Sequence, residues 1–281
     1  MPIKTFRNKI IEGDCLEVMR QFEDSSVDLV LTSPPYDNLR TYKGYTFPFE
    51  AIARELFRVV KDGCVVVWVV NDATINGTET GTSFRQALFF KEIGFNIHDT
   101  MIFKKRNPIP QIYRKRYNNE FEYMFVFSKG LVATHNPIMV PCLHAGLELP
   151  GTTYKNYSRH EQKREKLASP VKEEKVKGNI WDYVVGKNLE DQEAKGHPAP
   201  FPCALARDHI SSWSNEGDVV LDPMCGSGTT CKAALQLGRT FIGIEISHEY
   251  CAIARDRLDP LGESQGTLPF DGANNPFQRT R

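Results

Sequence analysis

Asp218-Val219-Val220-Leu221-Asp222-Pro223-Met224-Cys225-Gly226-Ser227-Gly228-Thr229-Thr230 is the stretch on which the fold turns. Val219 to Leu221 is a short apolar run rich in β-branched residues, suited to a parallel strand buried on both faces. It runs into an acid, a proline and two glycines one residue apart, and a helical pattern opens at Thr229. Glycine lets a chain turn tightly and bring its backbone close to a ligand. A helix start aims free N–H groups at whatever lies there. Two common nucleotide signatures fail on this loop. A dinucleotide fingerprint needs a third glycine where Cys231 stands, and a phosphate-binding loop needs a Gly-Lys-Ser/Thr triplet that is absent. The next strand, Phe241 to Glu245, again ends in an acid, where a carboxylate can accept both hydroxyls of a ribose.

A second loop stands far upstream. Val27-Asp28-Leu29-Val30-Leu31 runs into Thr32-Ser33-Pro34-Pro35-Tyr36. Adjacent prolines restrict the backbone and hold the intervening carbonyl in place. In open α/β sheets ligands bind at the carboxyl ends of strands, so one loop can present a cofactor and the other a reacting group to a shared crevice.

The intervening pattern predicts alternating strands and helices. Cys15 to Phe22, Phe49 to Val60, Phe84 to Ile93, Phe201 to Trp213, Thr229 to Leu237 and His248 to Leu258 carry helical spacing of apolar residues. Glycine stops are expected at Gly63 and Gly94. Ile10-Ile11, Cys64 to Val70, Ile97 to Phe103 and Glu122 to Phe127 read as strands, the second of them buried on both faces. From about Leu131 to Gly178 the rhythm breaks and an inserted subdomain is expected. After Pro260 the chain is rich in Gly, Pro, Asn and Gln, and a disordered tail is expected.

Composition bounds the rest. The 281 residues suit one large α/β domain with an insertion, and 35 basic residues balance 35 acidic ones. No apolar run approaches the roughly 20 residues that span a bilayer, and the N-terminus lacks the apolar core of a signal peptide. Seven scattered cysteines without a C-x-x-C pair read as thiols in a reducing, cytoplasmic compartment rather than as metal ligands, and no metal site is expected. Charge is locally uneven: Lys104-Lys105-Arg106 and Arg114-Lys115-Arg116 lie close together, interleaved with Tyr113 and Tyr117. Few acids dilute this cluster, so it is the better candidate for phosphate contact. The basic residues between Lys155 and Lys177 alternate with glutamates and equally suit a solvated face.

Asp222-Pro223-Met224-Cys225-Gly226-Ser227-Gly228 and Thr32-Ser33-Pro34-Pro35-Tyr36, in this order along the chain, resemble the DNA amino-methyltransferases. These enzymes move a methyl group from S-adenosylmethionine (SAM) to an exocyclic base nitrogen. The catalytic-type loop precedes the cofactor loop, which resembles the circularly permuted beta class. The resemblance implies a Rossmann-like α/β methyltransferase fold with a mostly parallel seven-stranded sheet. It further implies a catalytic part over 1–130, an inserted target-recognition region over 131–178 and a SAM-binding part over 179–259, before the tail at 260–281.

By the same resemblance, Asp222 pairs with the ammonium of SAM and Glu245 with its ribose. Thr32, Pro223, Met224, Cys225, Gly226, Ser227, Gly228 and Thr229 belong to the cofactor site. Asp14, in Gly13-Asp14, meets the adenine amino group, and Ile246 lies under the adenine ring. Pro200 and Phe201, within His197 to Pro202, pack against the methionine part. Ser33 and the Pro34–Pro35 unit supply acceptors to the target amine, and Tyr36 supplies a ring face to a base extruded from the duplex. Serine before Pro-Pro usually accompanies cytosine-N4 methylation in this family, and Asp or Asn usually accompanies adenine-N6 methylation. The expectation is therefore a cytosine-N4 enzyme acting on double-stranded DNA, as monomer or homodimer, in a restriction-modification system with a possible cognate endonuclease. Adenine-N6 methylation is the alternative, and a non-catalytic nucleic-acid-binding module on the same fold is the alternative of another class.

Overall fold

The computed structural model describes residues 1–35, 47–108, 110, 115–146, 152–154, 164–166, 172–185 and 202–264, with 152–154, 164–166 and 260–264 described by backbone alone. Eight strands form the main sheet: β1 (Lys9–Glu12), β2 (Val27–Thr32), β3 (Val60–Val70), β4 (Asn96–Lys105), β5 (Phe121–Ser128), β6 (Ile180–Tyr183), β7 (Val219–Asp222) and β8 (Thr240–Glu245). Their order across the sheet is β1-β8-β7-β2-β3-β5-β4-β6. Every neighbouring pair is parallel except the two that involve β5. The helices are α1 (Cys15–Met19), α2 (Phe49–Val59), α3 (Thr82–Glu92), α4 (Cys203–Trp213), α5 (Thr229–Gln236) and α6 (His248–Ser264).

The centre of the sheet follows from its residues. Val65 to Val70 in β3 are buried on both faces, and β2 presents buried Leu29, Val30 and Leu31 beside them. Uninterrupted apolar character suits strands covered by helices on both sides. Trp68, Phe90, Phe95 and Phe127 form a packed aromatic group under α2 and α3, and the buried Trp68 indole N–H donates to Gln86 Oε1 at 2.9 Å.

Several sequence expectations differ from the structure. Among the described residues the sheet has eight strands rather than seven, because Ile180–Tyr183 adds a parallel edge beside β4, with Ile180 opposite Ile102. Its alternating burial places Trp181 and Tyr183 inward, and the Tyr183 hydroxyl donates to Asp208 Oδ2 of α4 at 2.6 Å. Gly63 does not end α2; the helix ends at Val59 and β3 starts at Val60. Gly63 has φ +80°, its N–H donates to Lys129 O, and a Cβ there would lie 2.8 Å from Ala133 Cβ. The glycine is needed for a close approach, not for a cap. Gly94 does end α3, with φ +116° and Phe95 N–H donating back to Phe90 O at 3.1 Å. The chain from Pro260 to Ser264 continues α6 instead of leaving it, since the turn before it is anchored by buried Ala254 and Leu258; residues 265–281 lie outside the described residues. Finally, Thr74–Ile75 and Thr78–Glu79 pair as a small hairpin that periodicity did not suggest.

Residues Asn136–Asn179 form a second unit of their own. It contains two antiparallel pairs, Met139–Pro141 with Glu174–Val176 and Thr152–Tyr154 with Arg164–Lys166. Residues 131–135, read from sequence as part of the insertion, belong to the first unit: Ala133 N–H donates to Gly63 O, and His135 stacks on Trp213.

Candidate active site

The strand order brings the two decisive loops together. β7, which ends in Asp222, lies between β8 and β2. The Asp222 carboxylate is 1 % exposed. Its Oδ1 accepts from the Thr32 hydroxyl at 2.7 Å, and from Met224 N–H at 3.2 Å. Thr32 is the last residue of β2, so this buried bond ties the root of the Ser33-Pro34-Pro35 loop to the acid of the glycine loop. Thr230, in the first turn of α5, adds a bond to Leu31 O at 3.3 Å. Burial pushes the Asp222 carboxyl up to about 6, against the lowering effect of the Thr32, Thr230 and Met224 donors; nearby Glu245 adds to the rise.

Glu245 ends β8 and stands half-buried. It accepts from Gly226 N–H at 2.9 Å and from Ser247 N–H at 2.8 Å, and burial raises its carboxyl above the ordinary range. The glycine loop is thus pinned from one side by an acid and is pulled close from the other. Gly226 and Gly228 have φ +51° and +78°, and a Cβ on Gly228 would lie 3.0 Å from Ala254 Cβ. A Cβ on Gly243 of β8 would meet Ile10 Cδ1 at 2.6 Å and Cys231 Sγ at 2.7 Å. Sequence reading missed Arg257. This buried side chain of α6 donates to Ser227 O and, at 3.5 Å, to Thr229 Oγ1. Its partners are 30 and 28 residues away, so no local motif marks it.

Asp14 follows β1, the neighbour of β8, and Gly13 N–H donates to Glu245 O at 2.9 Å. The Asp14 carboxylate also caps α1, accepting from Leu16 N–H at 2.8 Å and Glu17 N–H at 3.2 Å. Pro223, Cys225, Ser227 and Thr229 are buried in the loop, and Met224 and Ile246 are half-buried beside it. On the β2 side, Pro34 is buried, with Ser33 and Pro35 half-buried. Tyr36, Pro200, Phe201 and Arg114 lie outside the described residues.

The basic cluster divides. Lys105 pairs with Glu122 at 2.8 Å with both side chains largely covered, and Arg106 pairs with Asp182. Arg116 donates to Gly77 O and meets Glu79 at 3.5 Å. Lys104 and Lys115 are exposed and carry no ion pair among the described residues. Lys104, Lys105 and Arg106 line an open cleft of about 620 Å³ at the carboxyl end of β4. The sheet order therefore puts the strand-end acids of β1, β8 and β7 on one side of Ser33, while on the other the cleft at the end of β4 holds Lys104, Lys105 and Arg106 together with Glu120 and Asp182.

A glycine loop between two strand-end carboxylates on a Rossmann-like sheet suits a nucleoside-type cofactor, and comparison narrows the class. The model of the DNA methylase family (N6_N4_Mtase) matches residues 27–256. The orphan methyltransferase M.BamHII of Bacillus amyloliquefaciens is 51% identical over 239 residues, covering 84% of this chain and 89% of the relative. The DNA adenine methyltransferase YhdJ of Escherichia coli (strain K12) is 30% identical, covering 89% and 82%. Among solved structures, the cytosine-N4-specific PvuII DNA methyltransferase superposes with a TM-score of 0.66 at 18% identity, covering 90% of this chain and 89% of that one. The M1.HpyAVI–SAM complex superposes with a TM-score of 0.61 at 23% identity, covering 92% and 100%. The chain belongs to the N6/N4 DNA methylase family and is a DNA methyltransferase. Its cofactor is S-adenosylmethionine. The donor set fits that cofactor, because buried Asp222 offers a carboxylate to a cation and Glu245 offers one to hydroxyls, with positive-φ glycines giving backbone access between them. No helix among the described residues is long and apolar enough to cross a membrane.

Proposed function

We propose that the chain methylates the exocyclic N4 of cytosine in duplex DNA after extruding the base from the stack, in the cytoplasm and within a restriction-modification setting. The observation that carries the reaction is the 2.7 Å bond from Thr32 to Asp222, which couples the Ser33-Pro34-Pro35 loop to the cofactor loop. The choice of cytosine rests on Ser33 before Pro34-Pro35. A base inside a duplex has its amine paired and must leave the stack to react. That amine is conjugated with its ring and is a poor nucleophile. Ser33 Oγ and the Pro34 carbonyl are the acceptors proposed to hold its hydrogens and free its lone pair. Serine is too weak a base to take the proton, which passes to solvent. Bound SAM supplies a methyl group on a sulfonium sulfur, open to in-line attack by that nitrogen. Asp222 would hold the ammonium, Glu245 the ribose hydroxyls and Asp14 the adenine amine; Arg257 and the glycines keep the loop in place. Catalysis is then positioning more than acid–base chemistry.

Adenine-N6 transfer is the second reading, favoured by the 30% identity to an enzyme named a DNA adenine methyltransferase. Methylome sequencing of a methylation-free host expressing the chain separates the two, since it reports motif and modified base together. A motif carrying modified cytosine supports the proposal, and modified adenine alone overturns the cytosine assignment. The M.BamHII relative is named an orphan, so a partner endonuclease is tested separately, by restriction of unmethylated DNA in the source cells.

On the DNA side, Lys104 is the proposed phosphate contact, because among the described residues no ion pair compensates its charge as Glu122 and Asp182 compensate those of Lys105 and Arg106. Lys104→Ala should weaken cognate and random duplexes about equally and lower the slope of log affinity against log salt by roughly one. Salt titrations of binding check this; a loss confined to the cognate duplex would mean base reading instead.

A further inference from the structure

The hairpin Thr74–Glu79 stands at the carboxyl end of β3, the strand next to β2 and its Ser33-Pro34 loop. Thr32 is registered with Trp68, and Thr74 follows six residues later. At the reach of an extended chain, the root of the hairpin lies within about 25 Å of the catalytic loop. Asn76 and Gly77, with φ +51° and +81°, form a two-residue turn of the kind favoured in tight hairpins. A hairpin this short is marginal alone, and four contacts hold this one. Arg116 donates to Gly77 O and faces Glu79, Thr80 N–H donates to Ala73 O at 2.9 Å, and Thr80 Oγ1 donates to Asp72 Oδ1 at 3.2 Å. Asp72 in turn accepts from Ser83 N–H at 2.9 Å, fixing the base of the hairpin to α3.

The surface it presents is unlike a spare loop. All four strand residues are exposed, including the apolar Ile75 at 53 %. Its single acid, Glu79, faces Arg116, so the ribbon offers no uncompensated negative charge to a polyanion. Arg85, one turn into α3, and Lys115 are exposed flanking cations with no acidic partner among the described residues. The major groove of B-DNA admits a two-stranded ribbon, an asparagine amide pairs bidentately with adenine there, and apolar side chains contact the thymine methyl.

We propose that the 74–79 hairpin enters the major groove beside the extruded base and reads sequence through Asn76 at its tip, with Ile75 as an apolar contact. This rests on the DNA-methyltransferase reading and deepens it, assigning part of target recognition to a β3–α3 ribbon outside the 136–179 unit. The test starts from the wild-type methylome, which fixes the motif. Asn76→Gly removes the amide while keeping a residue suited to positive φ, and Asn76→Asp keeps an Asp-Gly turn but replaces the amide donor with a second acceptor. Both should leave the melting temperature and SAM affinity unchanged; Asn76→Gly should also leave random-duplex affinity unchanged, whereas the charge added by Asn76→Asp weakens every duplex to some extent. Asn76→Gly should relax the motif at one A·T position and reduce discrimination between the cognate duplex and its single-base variants there by roughly 5- to 100-fold. Asn76→Asp should lose cognate binding by at least as much. An unchanged motif with unchanged discrimination overturns the proposal, as does an equal loss of cognate and random duplexes in Asn76→Gly, which would make the hairpin a phosphate clamp. A wild-type chain that methylates no DNA would fail earlier and sink the methyltransferase reading instead.

Discussion

Asp222→Asn is expected to bind SAM roughly 10- to 150-fold more weakly, the equivalent of the 1.5–3 kcal/mol assigned to a hydrogen bond with a charged group, while the ligand-free protein becomes more stable at neutral pH. The second half follows from burial. An ordinary aspartate titrates near 3.8 and this one near 6. The folded state therefore holds the proton more tightly than the unfolded chain does. Raising the pH from about 4 to about 6 removes a proton that the fold favours, so stability falls through that window and stays lowered above it. The gap corresponds to about 3 kcal/mol at most. Asparagine keeps an oxygen for the Thr32 and Met224 donors and carries no charge to desolvate. Its advantage in melting temperature should be largest above pH 6 and vanish below about pH 4. The same ionisation predicts that wild-type SAM affinity rises as pH passes upward through about 6. Calorimetric titration and melting curves across this range check both halves. A folded Asp222→Asn protein with wild-type SAM affinity would remove Asp222 from the cofactor site.

Tyr36→Ala is expected to lower methyl transfer by one to two powers of ten, with SAM affinity nearly intact. Tyr36 follows Pro35 in the loop whose root, Thr32, is bonded to Asp222. Stacking of a base on an aromatic ring is worth about 1–3 kcal/mol. Tyr36→Phe should retain part of the activity because the ring face remains. A mismatch opposite the target should tighten DNA binding, since less pairing is lost on extrusion. Single-turnover rates and equilibrium SAM binding separate the two effects. Loss of SAM affinity in step with rate would assign Tyr36 to the cofactor instead.

Much of this site was legible because its parts are local. Asp222 and Glu245 each end a short apolar run, and a strand buried on both faces leaves no ambiguity about where its polar end emerges. Val65 to Val70 was equally plain. Gly63 was misread because a glycine after a helical pattern looks the same whether it caps a helix or admits a neighbour; only Ala133, brought in by the fold, decides. The basic cluster was legible as charge but not as available charge, since Glu122 and Asp182 arrive from other strands. Arg257 carried no signal for a similar reason. The hairpin did carry one, the Asn76-Gly77 pair, but its two-residue strands are too short to show alternation. Asp14 shows the opposite case, where the ordinary role as a helix cap is visible and sits at the same strand end as the proposed cofactor role.

The most direct test of the central claim is the identity of the product. Purified protein is incubated with SAM and duplex DNA containing the motif, the DNA is digested to nucleosides, and the digest is resolved by chromatography and mass spectrometry. N4-methylcytosine is expected, formed on duplex DNA by the wild-type chain and lost in step with rate in Tyr36→Ala. N6-methyladenine as the sole modified nucleoside would contradict it.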